Sequence, residues 1–291
     1  MPRHRSSAAR QREEPRALRR GDLARAATFR IDLEYEGTRY SGWQEQRNAR
    51  TVAGALRAAL EEAAGPLLDL GGAGRTDAGV HALHQVAHAR LERAADPARL
   101  LLDLNDRLPA DVNVLSVERA SERFHARHDA QSRAYVYQVA RRRSAFAQRF
   151  AWWVREELDV EAMRGTLELV RGGHDFGAFC QDSPVAKGTR ANVLGVEVAE
   201  DGALVLVRIE ASHFLWRMVR RLVGALVRVG SGELPSEALR AALAAGSGSE
   251  LAPRIAAWTA PGAGLFLERV RYPGDPPLGA ARAVLSVPTV L

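Results

Sequence analysis

Sulfur and lysine are both scarce in this chain. Among 291 residues there is one cysteine, Cys180, so no intramolecular disulfide can form. That fits a reducing compartment and points to the cytoplasm. There is also a single lysine, Lys187, against an abundance of arginine. Apolar runs are short, and none reaches the length needed to cross a bilayer. The basic start, MPRHRSSAARQREEPRALRRGDLARAA, lacks the apolar stretch of a secretory signal. Its charge and low complexity predict a disordered tail over residues 1–27. Hydrophobic residues still make up 46% of the chain, enough for a sizeable core. Lys and Arg number 41 against 35 Asp and Glu, a formal charge of +6. Arginine forks suit phosphates and bases, which favours a nucleic-acid partner. High-GC coding bias produces the same excess, so charge alone does not decide.

Periodicity marks the elements. Phe29, Ile31, Leu33 and Tyr35 alternate with polar residues as in a half-buried strand. Val52, Leu56, Ala59, Leu60 and Ala63 recur at helical spacing behind an N-cap at Thr51, and Gly65-Pro66 stops that helix. A strand is expected from Gln85 to Leu91, a helix over 97–106, and strands in DVNVLSVERA and SRAYVYQVARR. Further helices are expected over 160–170, 214–229 and 235–245. A hairpin should turn at Asp201-Gly202, and a last strand should run over 265–272. The order implies an α+β fold of two similar halves, each a mainly antiparallel sheet flanked by helices, with the site in the cleft between them. The expected division is 28–128 and 129–275, with a loose tail over 276–291.

One stretch stands out: GAGRTDAGVHALHQVAH, Gly72 to His88. Its glycines do not fall at the spacing of a dinucleotide fingerprint, and no Walker lysine and serine follow. His84 and His88 have the spacing of a zinc-protease helix, but Gln85 stands where the general-base glutamate must be. A metal-dependent hydrolase built on those histidines is therefore one reading, and satisfied structural histidines another. A third is a displayed carboxylate: Gly74 and Gly79 allow a tight turn and a close ligand, and Arg75 stands two residues from Asp77. An ionised aspartate in a cleft can act as nucleophile or stabilise positive charge at a sugar carbon. An Asx-turn aspartate bonded to its own backbone remains open on pattern alone.

The long motif GAGRTDAGVHA resembles the catalytic-aspartate motif of the tRNA pseudouridine synthase A family. Other stretches follow in that family's order: Tyr35-Glu36-Gly37 with Tyr40-Ser41-Gly42-Trp43-Gln44, Leu104-Asn105 with Leu108-Pro109, and Phe124-His125-Ala126-Arg127 before Arg133, Tyr135 and Tyr137. Phe176 with Phe179, Thr189-Arg190, the run Phe214 to Arg220 with Gly224, and Gly264-Leu265-Phe266-Leu267 complete it. The similarity spans about Thr28 to Pro273. It implies a cytoplasmic, homodimeric isomerase without cofactor or metal, turning uridine into pseudouridine in the tRNA anticodon stem-loop at positions 38, 39 and/or 40. By the same resemblance Asp77 is the essential carboxylate, and Tyr135 packs on the target base. Arg220 pairs with the carboxylate, Arg75 assists base flipping, and Leu265 lines the pocket. Arg190 and Arg217 are expected at the RNA. Arg217, Arg221 and Arg228 on the long helix either bind phosphates or simply solubilise. The chain departs from many relatives at Cys180-Gln181-Asp182, just after the Phe-x-x-Phe pair, which puts local RNA contacts in doubt. A non-catalytic tRNA-binding protein with the same fold is the rival that retains most of these features.

Overall fold

The computed structural model describes residues 26–181 and 188–289. The expected basic tail lies outside these residues except for its last two, as do Asp182, Lys187 and residues 290–291 of the C-terminal segment. In chain order the elements are β1 (Ala27–Tyr35), α1 (Val52–Ala64), β2 (Leu67–Gly72), β3 (His81–Leu91), α2 (Pro97–Arg107) and β4 (Val112–Ala120). Then come β5 (Ser132–Ala140), β6 (Trp152–Trp153), α3 (Val160–Glu168), β7 (Gly172–Asp175), β8 (Arg190–Asp201) and β9 (Leu204–Ala211). The chain closes with α4 (Met218–Gly230), α5 (Ser236–Ala245), α6 (Ala252–Ala257) and β10 (Leu265–Arg271). Among the described residues no helix is long and apolar enough to cross a membrane.

The class is α+β, as expected: a large, mostly antiparallel sheet flanked by helices. The strand order is β4-β1-β3-β10-β5-β9-β8-β7, with β2 added on β3 and β6 on β5. One sheet thus runs through both parts of the chain. The seam is β3 against β10, a parallel pair in which Phe266 faces His81 and Leu267 faces Ala82. Parallel strands start at the same end of a sheet. The loops that precede β3 and β10 are therefore neighbours. The first carries Asp77, and the second approaches so closely that a Cβ on Gly262 would stand 2.7 Å from the Ala78 carbonyl oxygen.

Burial follows from this layering. The main core lies under the helices and gathers Phe29, Ile31, Leu33, Leu56, Leu60, Tyr137, Leu222 and Leu226. A smaller cluster on the other side joins Val136, Leu204, Leu206, Phe266 and Val287. Every residue of β5 is buried, because β5 faces both layers.

Two local expectations change. Helix α4 begins at Met218 and not at Phe214, because Arg217 takes a left-handed conformation (φ 61°) that cannot continue a helix backward. The segment after Pro273, expected to be loose, has no helix or strand over 276–289 but is docked. Val287 is 3% exposed in the second cluster, its carbonyl accepts from Ala203 N at 2.7 Å, and Val284 N donates to Gln138 Oε1 at 2.7 Å. Its composition hid this, since one buried valine and a few backbone bonds leave no periodic trace.

Candidate active site

The loop between β2 and β3 is held mainly by its backbone and by the Thr76 hydroxyl, which leaves the Asp77 side chain free of these ties. Arg133 of β5 lies behind it and donates to the Ala73 carbonyl from Nε (3.1 Å) and Nη2 (2.8 Å). Gln85 Nε2 donates to the Gly74 carbonyl at 2.9 Å. The Thr76 and Tyr35 hydroxyls bond at 2.8 Å, and Trp43 N donates to the Thr76 carbonyl at 3.0 Å. Burial pushes the Tyr35 phenol up to about 12, so it enters this network as a neutral hydroxyl. Gly79, at φ 74°, turns the chain back into β3. Each of these ties fixes the loop without using the Asp77 carboxylate.

That carboxylate points across to the start of α4. Arg220 Nη1 donates to Asp77 Oδ2 at 3.1 Å, with the Asp77 side chain 22% exposed. The same guanidinium donates from Nε to the Ala260 carbonyl at 2.7 Å, and Ala260 N donates back to the Arg220 carbonyl at 3.1 Å. Arg220 is thereby locked to the segment leading into β10. For a partly buried pair, geometry matters more than net attraction, because desolvation offsets much of the Coulomb gain. The second carboxylate oxygen, Oδ1, accepts from Trp216 Nε1 at 3.0 Å. Asp77 thus makes a long-range contact, and its side chain is not spent on a local Asx turn.

Tyr135 is buried on β5, its ring meeting Phe214 edge-on at 5.0 Å between centroids. Its hydroxyl lies next to Gly74, where a Cβ would stand 3.7 Å away. Burial first, with the neighbouring Tyr35 phenol and the Asp77 carboxylate adding to it, pushes this phenol well above its ordinary value. It is a neutral hydroxyl at neutral pH and can donate a hydrogen bond. Leu265 opens β10 in register with Tyr137 and is buried. Tyr137 is core, its hydroxyl donating to the Pro261 carbonyl at 2.8 Å.

The remaining expected residues scatter. Arg75 is exposed on the loop, and no described residue pairs with it. Arg217 lies over the Trp216 ring, 5.5 Å from its centroid. Arg190 is exposed at the head of β8, opposite Asp175 of β7, and no described contact joins it to Asp77. Arg221 turns inward and donates to the Cys180 carbonyl, and Arg228 pairs with Glu233 at 2.7 Å. His84 and His88 each have their own carboxylate: His84 Nε2 is 3.2 Å from Asp32 Oδ2, and His88 Nε2 is 3.1 Å from Asp69 Oδ2. Among the described residues no group of three or more His, Cys, Asp and Glu is placed to hold a metal ion.

Two residues in the site, Arg133 and Trp216, stand inside the matching motifs without a role assigned to them from the sequence. Arg133 could have been suspected as an arginine inside an otherwise aromatic and aliphatic strand. Trp216 lies before the start of α4, so no simple periodicity ties it to Arg220, and the sequence carries no signal for its bond to Asp77.

Comparison with known proteins shows which family the chain is similar to. The chain matches the family model described as tRNA pseudouridine synthase over residues 33–129 and 167–273. It is 39% identical over 247 residues to tRNA pseudouridine synthase A of Rhodopseudomonas palustris (strain BisA53), covering 84% of this chain and 98% of that protein. It is 39% identical over 253 residues to tRNA pseudouridine synthase A of Nitrobacter winogradskyi, covering 86% and 97%. With tRNA pseudouridine synthase A 2 of Bacillus cereus (strain ZK / E33L) the identity is 32% over 247 residues, covering 84% and 99%.

Proposed function

The chain belongs to the tRNA pseudouridine synthase family, and from that premise we propose that it isomerises uridine to pseudouridine in the tRNA anticodon stem-loop, at positions 38, 39 and/or 40, with Asp77 as the nucleophile. The observation that carries the reading is the Asp77 carboxylate, bonded on one oxygen by Arg220 and on the other by Trp216 and still 22% exposed.

The reaction balances within the nucleotide. The N1–C1′ bond breaks, the uracil turns, and a C5–C1′ bond forms; C5 loses a proton and N1 gains one. Nothing is oxidised or added. The target must first leave its stack, at a cost of a few kcal/mol. Arg75, exposed and unpaired among the described residues, has the reach and charge to prop the vacated position. Breaking the glycosidic bond builds positive charge at the sugar, which an anion supports. Asp77 supplies that anion and the covalent capture, at sugar or base. The Tyr135 ring stacks on the uracil, with its protonated hydroxyl beside the bond being made. Leu265 adds an apolar wall, and Arg217 and Arg190 meet the RNA. The enzyme works as a homodimer in the cytoplasm, without a cofactor.

The test is to incubate unmodified tRNA with the protein and map pseudouridine by carbodiimide modification and primer extension. Stops at positions 38 to 40 are expected. Bound tRNA with no stop would favour the RNA-binding rival, and stops confined to another stem would overturn the substrate assignment. Binding should weaken steeply with added salt if arginines contact phosphates.

A further inference from the structure

We propose that Trp216 is a positioning residue for the reacting carboxylate: its indole N–H pins Asp77 Oδ1 so that Arg220 and Trp216 together fix the plane in which the carboxylate meets the substrate. The inference rests on the proposed reaction at Asp77. An aspartate carboxylate turns about a broad, roughly two-fold torsion, so a single donor leaves its plane free to swing. Here two donors take one oxygen each, Arg220 Nη1 on Oδ2 at 3.1 Å and Trp216 Nε1 on Oδ1 at 3.0 Å. The indole N–H donates only and cannot compete for a proton.

The backbone is built to make that contact. Arg217 is the one non-glycine residue with positive φ among the described residues. Such a conformation is unfavourable for a residue with a side chain and persists where the surroundings require it. It places Trp216 just outside α4 and Arg220 in its first turn, with both reaching the same carboxylate. The Trp216 carbonyl accepts from Gln181 N at 3.2 Å, and the Arg217 guanidinium lies against the indole. Trp216 is nevertheless 45% exposed, so core packing alone does not account for a tryptophan here. A hydrogen bond to an anion does.

Two variants separate this role from bulk. Trp216→Phe keeps the ring and loses the donor; Trp216→His restores a ring N–H. Tritium release from tRNA labelled at uracil C5 should show kcat about 10- to 100-fold lower for Trp216→Phe, with KM for tRNA and the thermal midpoint unchanged and part of the rate recovered in Trp216→His. Wild-type kcat in Trp216→Phe, or a loss confined to KM, overturns the proposal while leaving the reaction intact. An absence of release from the wild type defeats the reaction itself. The contact is checked separately by the 15N-indole NMR signal assigned through Trp216→Phe: it should move in Asp77→Ala, and a signal that stays put shows that no such bond exists in solution.

Discussion

Arg220 contributes two things to Asp77, a charge and a fixed direction, and the second depends on its bond to Ala260. Arg220→Lys keeps the charge but loses the fork that reaches both partners. We expect Arg220→Lys to lower turnover at saturating tRNA about 10-fold and Arg220→Ala about 100-fold, measured as initial rates; equal losses would mean that charge alone matters. Tyr135→Phe retains the stacking ring and removes the hydroxyl. Its kcat should fall about 100-fold with tRNA affinity unchanged, and a wild-type rate would remove the hydroxyl from proton transfer. Asp77, Arg220 and Tyr135 were all named from sequence through one long motif and two shorter ones. What the letters did not carry was the second bond on Asp77, because Trp216 stands inside the run Phe214 to Arg220 with nothing to set it apart from its neighbours.

At the scale of elements, strands and helices with a simple period were legible: β1, α1 with its Thr51 cap and the β8–β9 hairpin fall where alternation and capping put them. The start of α4 did not, since Phe214 falls four residues before Met218 and extends the apolar spacing of Met218, Leu222 and Leu226, although it packs on Tyr135 from outside the helix. Short edge pieces such as β7 lack enough residues to show any period. Helix α4 also explains Gly224. A Cβ there would stand 1.8 Å from the Trp258 carbonyl oxygen, so the segment that delivers Ala260 to Arg220 can close only over a glycine. Gly224→Ala should therefore destabilise the protein by about 1–3 kcal/mol in urea unfolding and reduce turnover as well. Unchanged stability would show that the helix and the 258–260 segment part without cost.

The whole molecule is joined at its seam. His81 sits there, fully buried: its Nδ1 accepts from Gly37 N at 3.0 Å, and Nε2 lies 2.9 Å from the Arg149 carbonyl and 3.1 Å from that of Ala263. Burial lowers its pKa, despite those carbonyls and Glu36, so the folded protein holds it neutral. A depressed folded-state value means that its contribution is present above the unfolded value of about 6.5 and is lost as pH falls through the folded one. Urea unfolding between pH 5 and 8 should show stability declining below about pH 6.5, with a shallower decline in His81→Gln; identical slopes would exclude His81 as the cause. The docked C-terminal segment covers the second apolar cluster, and ending the chain at residue 275 should lower the melting temperature by several degrees. Its role was illegible in sequence because contacts made across the whole sheet leave no local pattern.

The most direct measurement of the central claim uses tRNA tritiated at uracil C5 and follows label released to water by the wild type and by Asp77→Asn. The account predicts steady release by the wild type and none above background by Asp77→Asn, with the same tRNA affinity and thermal midpoint in both. Release by Asp77→Asn at the wild-type rate, or no release by a wild-type protein that binds tRNA, would contradict it.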